Sequence, residues 1–164
     1  MKRTAGRLVA AAVLLTASAC GGSSPDGNPL VAQLQGTWES LCEPGPSGSG
    51  SSDKGIGTYS GREYSSGLRN YGNETCSGTG GALRFGATYR ISNVGSPVTV
   101  NLGSTPVTAY PVDWEHHYYT LLYVDTTAAP NRLYSGDPII GGNDGSSAEK
   151  RPTALNSTTY MVRQ

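Results

Sequence analysis

The sequence predicts an all-β domain, an antiparallel up-and-down β-barrel of about eight to ten short strands preceded by a short helical turn. Three observations carry this. Leu83, Phe85, Ala87, Tyr89 and Ile91 alternate with other residues over one continuous stretch, the period-two signature of a strand with one buried face. Turn-forming clusters recur about every eight to twelve residues, and most of the 23 glycines fall in them. No long segment after Gly36 shows a helical period. A β-sandwich satisfies the same pattern and stands as the alternative.

The helical turn comes first. Asn28 is a side-chain acceptor suited to an N-cap, Pro29 fits the first helical position, and Gly36 follows the end. Leu30, Val31 and Leu34 share one face. Two turns are too short to persist without a partner surface. The period then changes to two. Residues 37–43 place Trp38, Ser40 and Cys42 on one face. Residues 44–53 form a Pro/Gly/Ser loop. Residues 55–60 and 63–70 read as a hairpin through Gly61-Arg62, with Tyr59, Tyr64 and Leu68 on its apolar side. Gly78 to Gly81 turns into the alternating strand around Tyr89. Val98, Val100 and Leu102 make a further strand, Gly103-Ser104 turns, and Val107 to Trp114 returns. Residues 117–124, 132–134 and 158–163 complete the set. Both faces of 118–124 are apolar, so inside and outside are not separable there.

Charge and hydropathy divide the chain into three. Lys+Arg and Asp+Glu are both 12, giving a formal net charge of +0. Lys2, Arg3 and Arg7 all precede an apolar run, Leu8 to Leu15, followed by the small residues Thr16-Ala17-Ser18-Ala19. A basic start, a short apolar segment and a small-residue site read as a secretory signal peptide over residues 1–19. Its removal leaves an acidic domain without a basic run, which excludes nucleic acid as the expected partner. Residues 20–29 follow as a lipidated Cys and a Gly/Ser/Pro tether, and 30–164 as the β-barrel domain.

Cys20, directly after Ala17-Ser18-Ala19, resembles the lipobox of bacterial lipoproteins, with Ala17 where Leu is usual. The resemblance implies acyl chains on Cys20, a membrane partner reached through that lipid anchor, and a place in the bacterial cell envelope. Gly21, which is not Asp, points within that family to the outer membrane. With Cys20 lipidated, Cys42 and Cys76 remain as an even pair in an oxidising compartment, which favours a disulfide. A metal or a catalytic thiol is the competing reading, and neither Cys has a His close by in sequence.

Gly36-Thr37-Trp38, opening the first strand after the helical turn, resembles the Gly-x-Trp signature of the calycin barrels, the superfamily of the lipocalins. That resemblance implies a barrel closed at one end by the helical turn, with Trp38 packed beneath Arg163 of the last strand. The chain is also similar to bacterial lipoproteins beginning Leu-x-Gly-Thr-Trp-x-Ser-x-Cys, matched by Leu34 to Cys42. It shares with them a late Leu-Tyr-x-Gly-Asp, matched by Leu133 to Asp137. The second likeness brings no activity with it. The lipocalin Thr-Asp-Tyr motif is absent; residues 123–126 read Tyr-Val-Asp-Thr.

The densest polar cluster is Asp113-Trp114-Glu115-His116-His117. In a continuous strand Asp113, Glu115 and His117 would share a face and have ligand chemistry for a divalent metal or for acid–base work. Spacing of i, i+2, i+4 spreads them over ~13 Å, so a solvent face is the expectation and no metal is assigned. Ser51-Ser52-Asp53-Lys54 matches Ser-x-x-Lys in letters but lies in a loop without partner motifs. Gly55-x-Gly57 precedes a strand rather than a helix and is no phosphate loop. Gly141 to Gly145 is read as a plain loop. No catalytic residue and no cofactor are expected, and the chain is read as a non-enzyme.

Tyrosine is the unusual residue: 10 Tyr against one Phe and two Trp. Tyr has an apolar body and a polar tip, which suits wet pockets and interfaces as well as strands. Trp114, Tyr118, Tyr119 and Tyr123 are therefore the ligand or interface candidates. The functional expectation is a lipid-anchored envelope protein whose barrel binds a small apolar or amphipathic ligand. The alternative is a structural or protein-interaction module with a packed core and a partner the sequence does not name.

Overall fold

The computed structural model describes residues 27–46, 48–116, 118–138 and 142–164. The expected leader (1–19), Cys20, most of the tether and His117 lie outside these residues. The helix α1 spans Pro29–Leu34. The strands are β1 (Gly36–Ser40), β2 (Glu43–Pro44), β3 (Ser52–Ser60), β4 (Glu63–Tyr71), β5 (Arg84–Val94), β6 (Val98–Leu102), β7 (Thr105–Trp114), β8 (Tyr118–Asp125), β9 (Arg132–Ser135) and β10 (Met161–Arg163).

Eight of these strands close an antiparallel barrel in the order β1, β3, β4, β5, β7, β8, β9, β10, with β10 returning to β1. Consecutive strands are neighbours throughout, so the barrel is up-and-down, and the sandwich alternative is set aside. β2 and β6 pair outside this ring, with β3 and β7 respectively. β5 and β6 run along the same edge of β7, separated at Gly95-Ser96-Pro97. Gly95 still donates to the Pro111 carbonyl (2.8 Å), but Pro97 has no N–H to continue the ladder.

The short helix exists because it is capped and buried. Asn28 Oδ1 accepts from the N–H groups of Leu30 (3.0 Å) and Val31 (3.3 Å). Leu30, Val31 and Leu34 are completely buried. Leu30 and Leu34 pack on Trp38, Tyr59, Ile91, Val112, Leu122, Val124 and Leu133, the inward residues of the staves. Each such side chain contributes about 1.5–3 kcal/mol by leaving water, which is what holds a six-residue helix in place. The Gln35 side chain adds a clamp to the β3–β4 turn. Its Nε2 donates to the carbonyls of Val31 (2.6 Å) and Gly61 (3.0 Å), and its Oε1 accepts from Gly61 N–H (2.7 Å).

The outer faces of β7, β8 and β9 carry a second apolar cluster. Ala109, Leu121, Tyr134 and Leu155 are buried there, with Val100 and Leu102 of the β6 arm packed against them. Leu155 anchors the β9–β10 connection by bridging both Leu102 and Gly136. This resolves the apolar two-sidedness of β8: Leu122 and Val124 face the interior, Leu121 and Tyr123 the outer cluster.

Several boundaries differ from the sequence expectation. β1 ends at Ser40, before Cys42. β3 begins at Ser52, inside the stretch expected as loop. β5 runs on to Val94. The last strand is confined to Met161–Arg163, because Asn156 Oδ1 accepts from Thr158 N–H (2.9 Å) and Thr159 N–H (3.1 Å) and curls the preceding residues into a turn. Cys42 and Cys76 form a disulfide with Cα atoms 5.8 Å apart. It fastens the β4–β5 loop to the β1–β2 connection, beside the start of β3. There the completely buried Ser52 donates to the Asn73 carbonyl (2.5 Å) and accepts from Cys76 N–H (3.1 Å).

Candidate functional site

The two ends of the barrel are built differently. At the α1 end the interior is filled, and Trp38 stands at its centre. Trp38 Nε1 donates to the Leu34 carbonyl, the last of the helix (2.6 Å). Arg163, directly opposite Trp38 in the β1–β10 register, lies over the indole at 5.0 Å from the guanidinium carbon to the ring centroid. Its Nη2 donates to the carbonyls of Gln33 (2.8 Å) and Gln35. One cation thus covers the aromatic face and satisfies carbonyls that the short helix leaves without partners.

At the other end the interior is open. A cavity of about 510 Å³ lies among the barrel walls below the β7–β8 turn. That volume is in the ordinary range for a small-molecule site. On β3, Gly55 and Gly57 carry no side chain, and the Ser40 hydroxyl and the Tyr64 ring lie over them. Gly57 is required by the site itself: the Tyr64 ring lies across its backbone, and a Cβ there would stand 2.4 Å from Tyr64 Cε2.

The lining is two-sided. Tyr59 (β3), Tyr64 (β4), Tyr89 (β5) and Trp114 (β7) come from four successive staves and form one continuous aromatic wall. Ring centroids are 4.6 Å apart for Tyr59–Tyr64, 5.6 Å for Tyr64–Trp114 and 6.4 Å for Tyr89–Trp114. Register makes the wall: Tyr59 pairs with Tyr64, and Tyr64 with Tyr89. The other four staves contribute Thr120 and Leu122 (β8), Leu133 and Ser135 (β9), Met161 (β10) and Ser40 (β1). Glu115, His116 and Tyr118 stand at the mouth, with Tyr118 46% exposed.

Electrostatics keep the deep wall neutral. Burial, and then the neighbouring Tyr64, push the Tyr59 hydroxyl well above the usual tyrosine range. Burial, and then Tyr89, raise Tyr64 as well. Both hydroxyls therefore stay protonated at physiological pH and act as neutral donors and acceptors.

Among the ligand or interface candidates read from the sequence, the structure divides inside from outside. Trp114 and Tyr118 line the cavity. Tyr119 lies on the outer face, beneath the Arg151 guanidinium at 5.5 Å. Tyr123 stacks on Tyr134 at 6.0 Å, in the outer cluster. Tyr59, Tyr64 and Tyr89 were not among those candidates, although the hairpin read through Gly61-Arg62 already sets Tyr59 opposite Tyr64.

The polar cluster around residue 113 is broken by the chain. Glu115 and His116 form a turn, with His116 at φ 71°, so strand alternation does not continue through them. Asp113 points outward, where it accepts from Arg151 Nη2 (2.5 Å) and Asn93 Nδ2 (3.1 Å). Burial alone would raise the Asp113 carboxyl. The hydrogen bonds from Arg151 and Asn93 and the Arg151 charge outweigh it and hold the group below the usual value of 3.8. Among the described residues no three His, Cys, Asp or Glu side chains converge as a metal site would require.

Comparison of the chain with protein-family models, with curated proteins and with solved structures finds no match.

Proposed function

We propose that this is a lipid-anchored protein of the bacterial cell envelope whose barrel binds a small apolar or amphipathic ligand. One observation carries the reading: a cavity of about 510 Å³ with an aromatic wall, open beneath the β7–β8 turn, in a barrel whose other end is filled. A core packed for structure alone leaves few voids larger than a water molecule, so a space of this size points to an occupant. The alternative module without a ligand calls for a filled interior, and the cavity favours the binding reading over it. The reading as a binder rather than an enzyme is supported by the lining: its acidic and imidazole groups, Glu115 and His116, sit at the mouth, away from the buried hydroxyls.

The anchor, the outer-membrane destination and kinship with lipocalin-like lipoproteins rest on Cys20 after Ala17-Ser18-Ala19 and on Gly36-Thr37-Trp38 with Arg163. Several acyl chains on one residue would give stable attachment. Two experiments test the proposal. Native mass spectrometry of protein purified from its host should show a mass above that of the bare polypeptide, released on denaturation. Repeated preparations at the bare mass would count against a bound ligand. In membrane fractionation Cys20→Ala should move the protein to the soluble fraction. Retention of that variant in membranes would overturn the anchor.

A further inference from the structure

Resting on the reading of the cavity as a binding site, we infer that its ligand is an uncharged molecule with a flat ring system and a hydroxyl or carbonyl on the opposite edge, rather than a fatty acid or other anionic lipid. The topology distributes the two chemistries. The half-barrel β3–β4–β5–β7 presents rings: Tyr59, Tyr64, Tyr89 and Trp114. The half-barrel β8–β9–β10–β1 presents the hydroxyls of Thr120, Ser135 and, just before β10, Thr159 among Leu122, Leu133 and Met161, together with the rings of Tyr118 and Tyr160; the Ser40 hydroxyl there is already engaged by the Leu41 carbonyl and the Gly55 N–H. A flat ring system laid against the first half gains offset or edge-to-face contacts, which an alkyl chain does not. Its polar edge then meets hydroxyls able to donate or accept.

Charge decides against an anion. No Lys or Arg is among the described residues that line the cavity. Arg163 is committed to Trp38 and the helix carbonyls at the filled end. Arg151 is committed to Asp113 and to the carbonyls of Val112 and Thr120 (2.8 and 2.9 Å) on the outer face. A carboxylate or phosphate drawn past Glu115 and His116 at the mouth would lose its water without gaining a Lys or Arg partner.

The test is competition at equilibrium, read by intrinsic fluorescence and calorimetry on the folded chain. Three probes are anthracenylmethanol (flat, neutral, one hydroxyl), dodecanol (flexible, neutral) and dodecanoic acid (flexible, anionic). The expected order is anthracenylmethanol tightest, then dodecanol, then dodecanoic acid, with about tenfold between the first and last. Tyr64→Leu should weaken anthracenylmethanol about tenfold and leave dodecanol within about twofold. Tyr89→Leu, at a ring 42% exposed, should act in the same direction, and thermal melts of both variants guard against reading a folding defect as lost binding. Dodecanoic acid binding as well as or better than anthracenylmethanol would overturn this inference while leaving the cavity a binding site. Failure of all three probes would overturn both.

Discussion

Arg163 lies over the Trp38 indole at 5.0 Å and donates to two carbonyls at the end of α1, so the last strand, the first strand and the helix meet in one side chain. The barrel closes at this point, since β1 pairs with β10 through Trp38 and Arg163. Truncation of Arg163 to Ala removes the cation–π contact and orphans the Gln33 and Gln35 carbonyls. The expected loss is about 1–3 kcal/mol in urea unfolding. Arg163→Lys should recover only part of it, because an ammonium cannot cover the ring and fork to two carbonyls together. Equal stability of Arg163→Ala and the parent would contradict this role.

The disulfide closes a loop with a sequence separation of 34 residues, which corresponds to roughly 3–4 kcal/mol in the chain-entropy account. Replacement of Cys42 and Cys76 by Ser should lower the unfolding free energy by that amount and move the urea midpoint down with it. Amide exchange should rise selectively in residues 72–83, the loop the bond fastens. An unchanged midpoint would show that the Ser52 hydrogen bonds alone hold the loop.

Gly57→Ala tests the glycine beneath the aromatic wall. Its Cβ would meet Tyr64 Cε2 at 2.4 Å, so the ring must swing away or the strand must shift. Overpacking of this kind costs about 1–3 kcal/mol. Probe binding should weaken with it, since Tyr64 is the central ring of the wall. Unaltered stability and binding would mean the ring has room that the structure does not show.

Acid sensitivity should trace in part to Asp113. Its folded value lies below 3.8, so the unfolded chain binds the proton more readily. The stabilisation is therefore present above the unfolded value and is lost as pH falls through the folded one. Thermal melts of the parent should lose stability from about pH 4 downward. Asp113→Asn should be less stable at neutral pH and show a flatter acid limb. An identical pH profile for parent and variant would remove Asp113 from the account.

How far the sequence reveals this molecule depends on the kind of information each feature needs. The barrel is legible because strand period and turn chemistry are local: Asn28-Pro29 signals the helix start, and the alternation of Leu83 to Ile91 marks β5, although of that expected buried face Ile91 is buried while Ala87 and Tyr89 stay exposed. The Trp38–Arg163 contact is one that the Gly36-Thr37-Trp38 resemblance implies and that strand period and composition do not. The Cys42–Cys76 pairing is expected from counting only if Cys20 is set aside as lipidated. The cavity is not legible in that way. Its emptiness depends on the joint volume of side chains brought together from all eight staves, and no single position announces it. Its wall depends on register across four strands, and only the Tyr59–Tyr64 step lies within one hairpin. The facing of β8 was also hidden. Both its faces are apolar because the β9–β10 connection covers the outside through Leu155.

The most direct test of the central claim is an experimental structure of the protein purified from its host without added ligand. The account predicts continuous density for a small molecule in the cavity, against Tyr64 and Trp114 on one side and within hydrogen-bond distance of Thr120 or Ser135 on the other. A cavity collapsed by Tyr64 turning inward, or filled by ordered water alone, would contradict it.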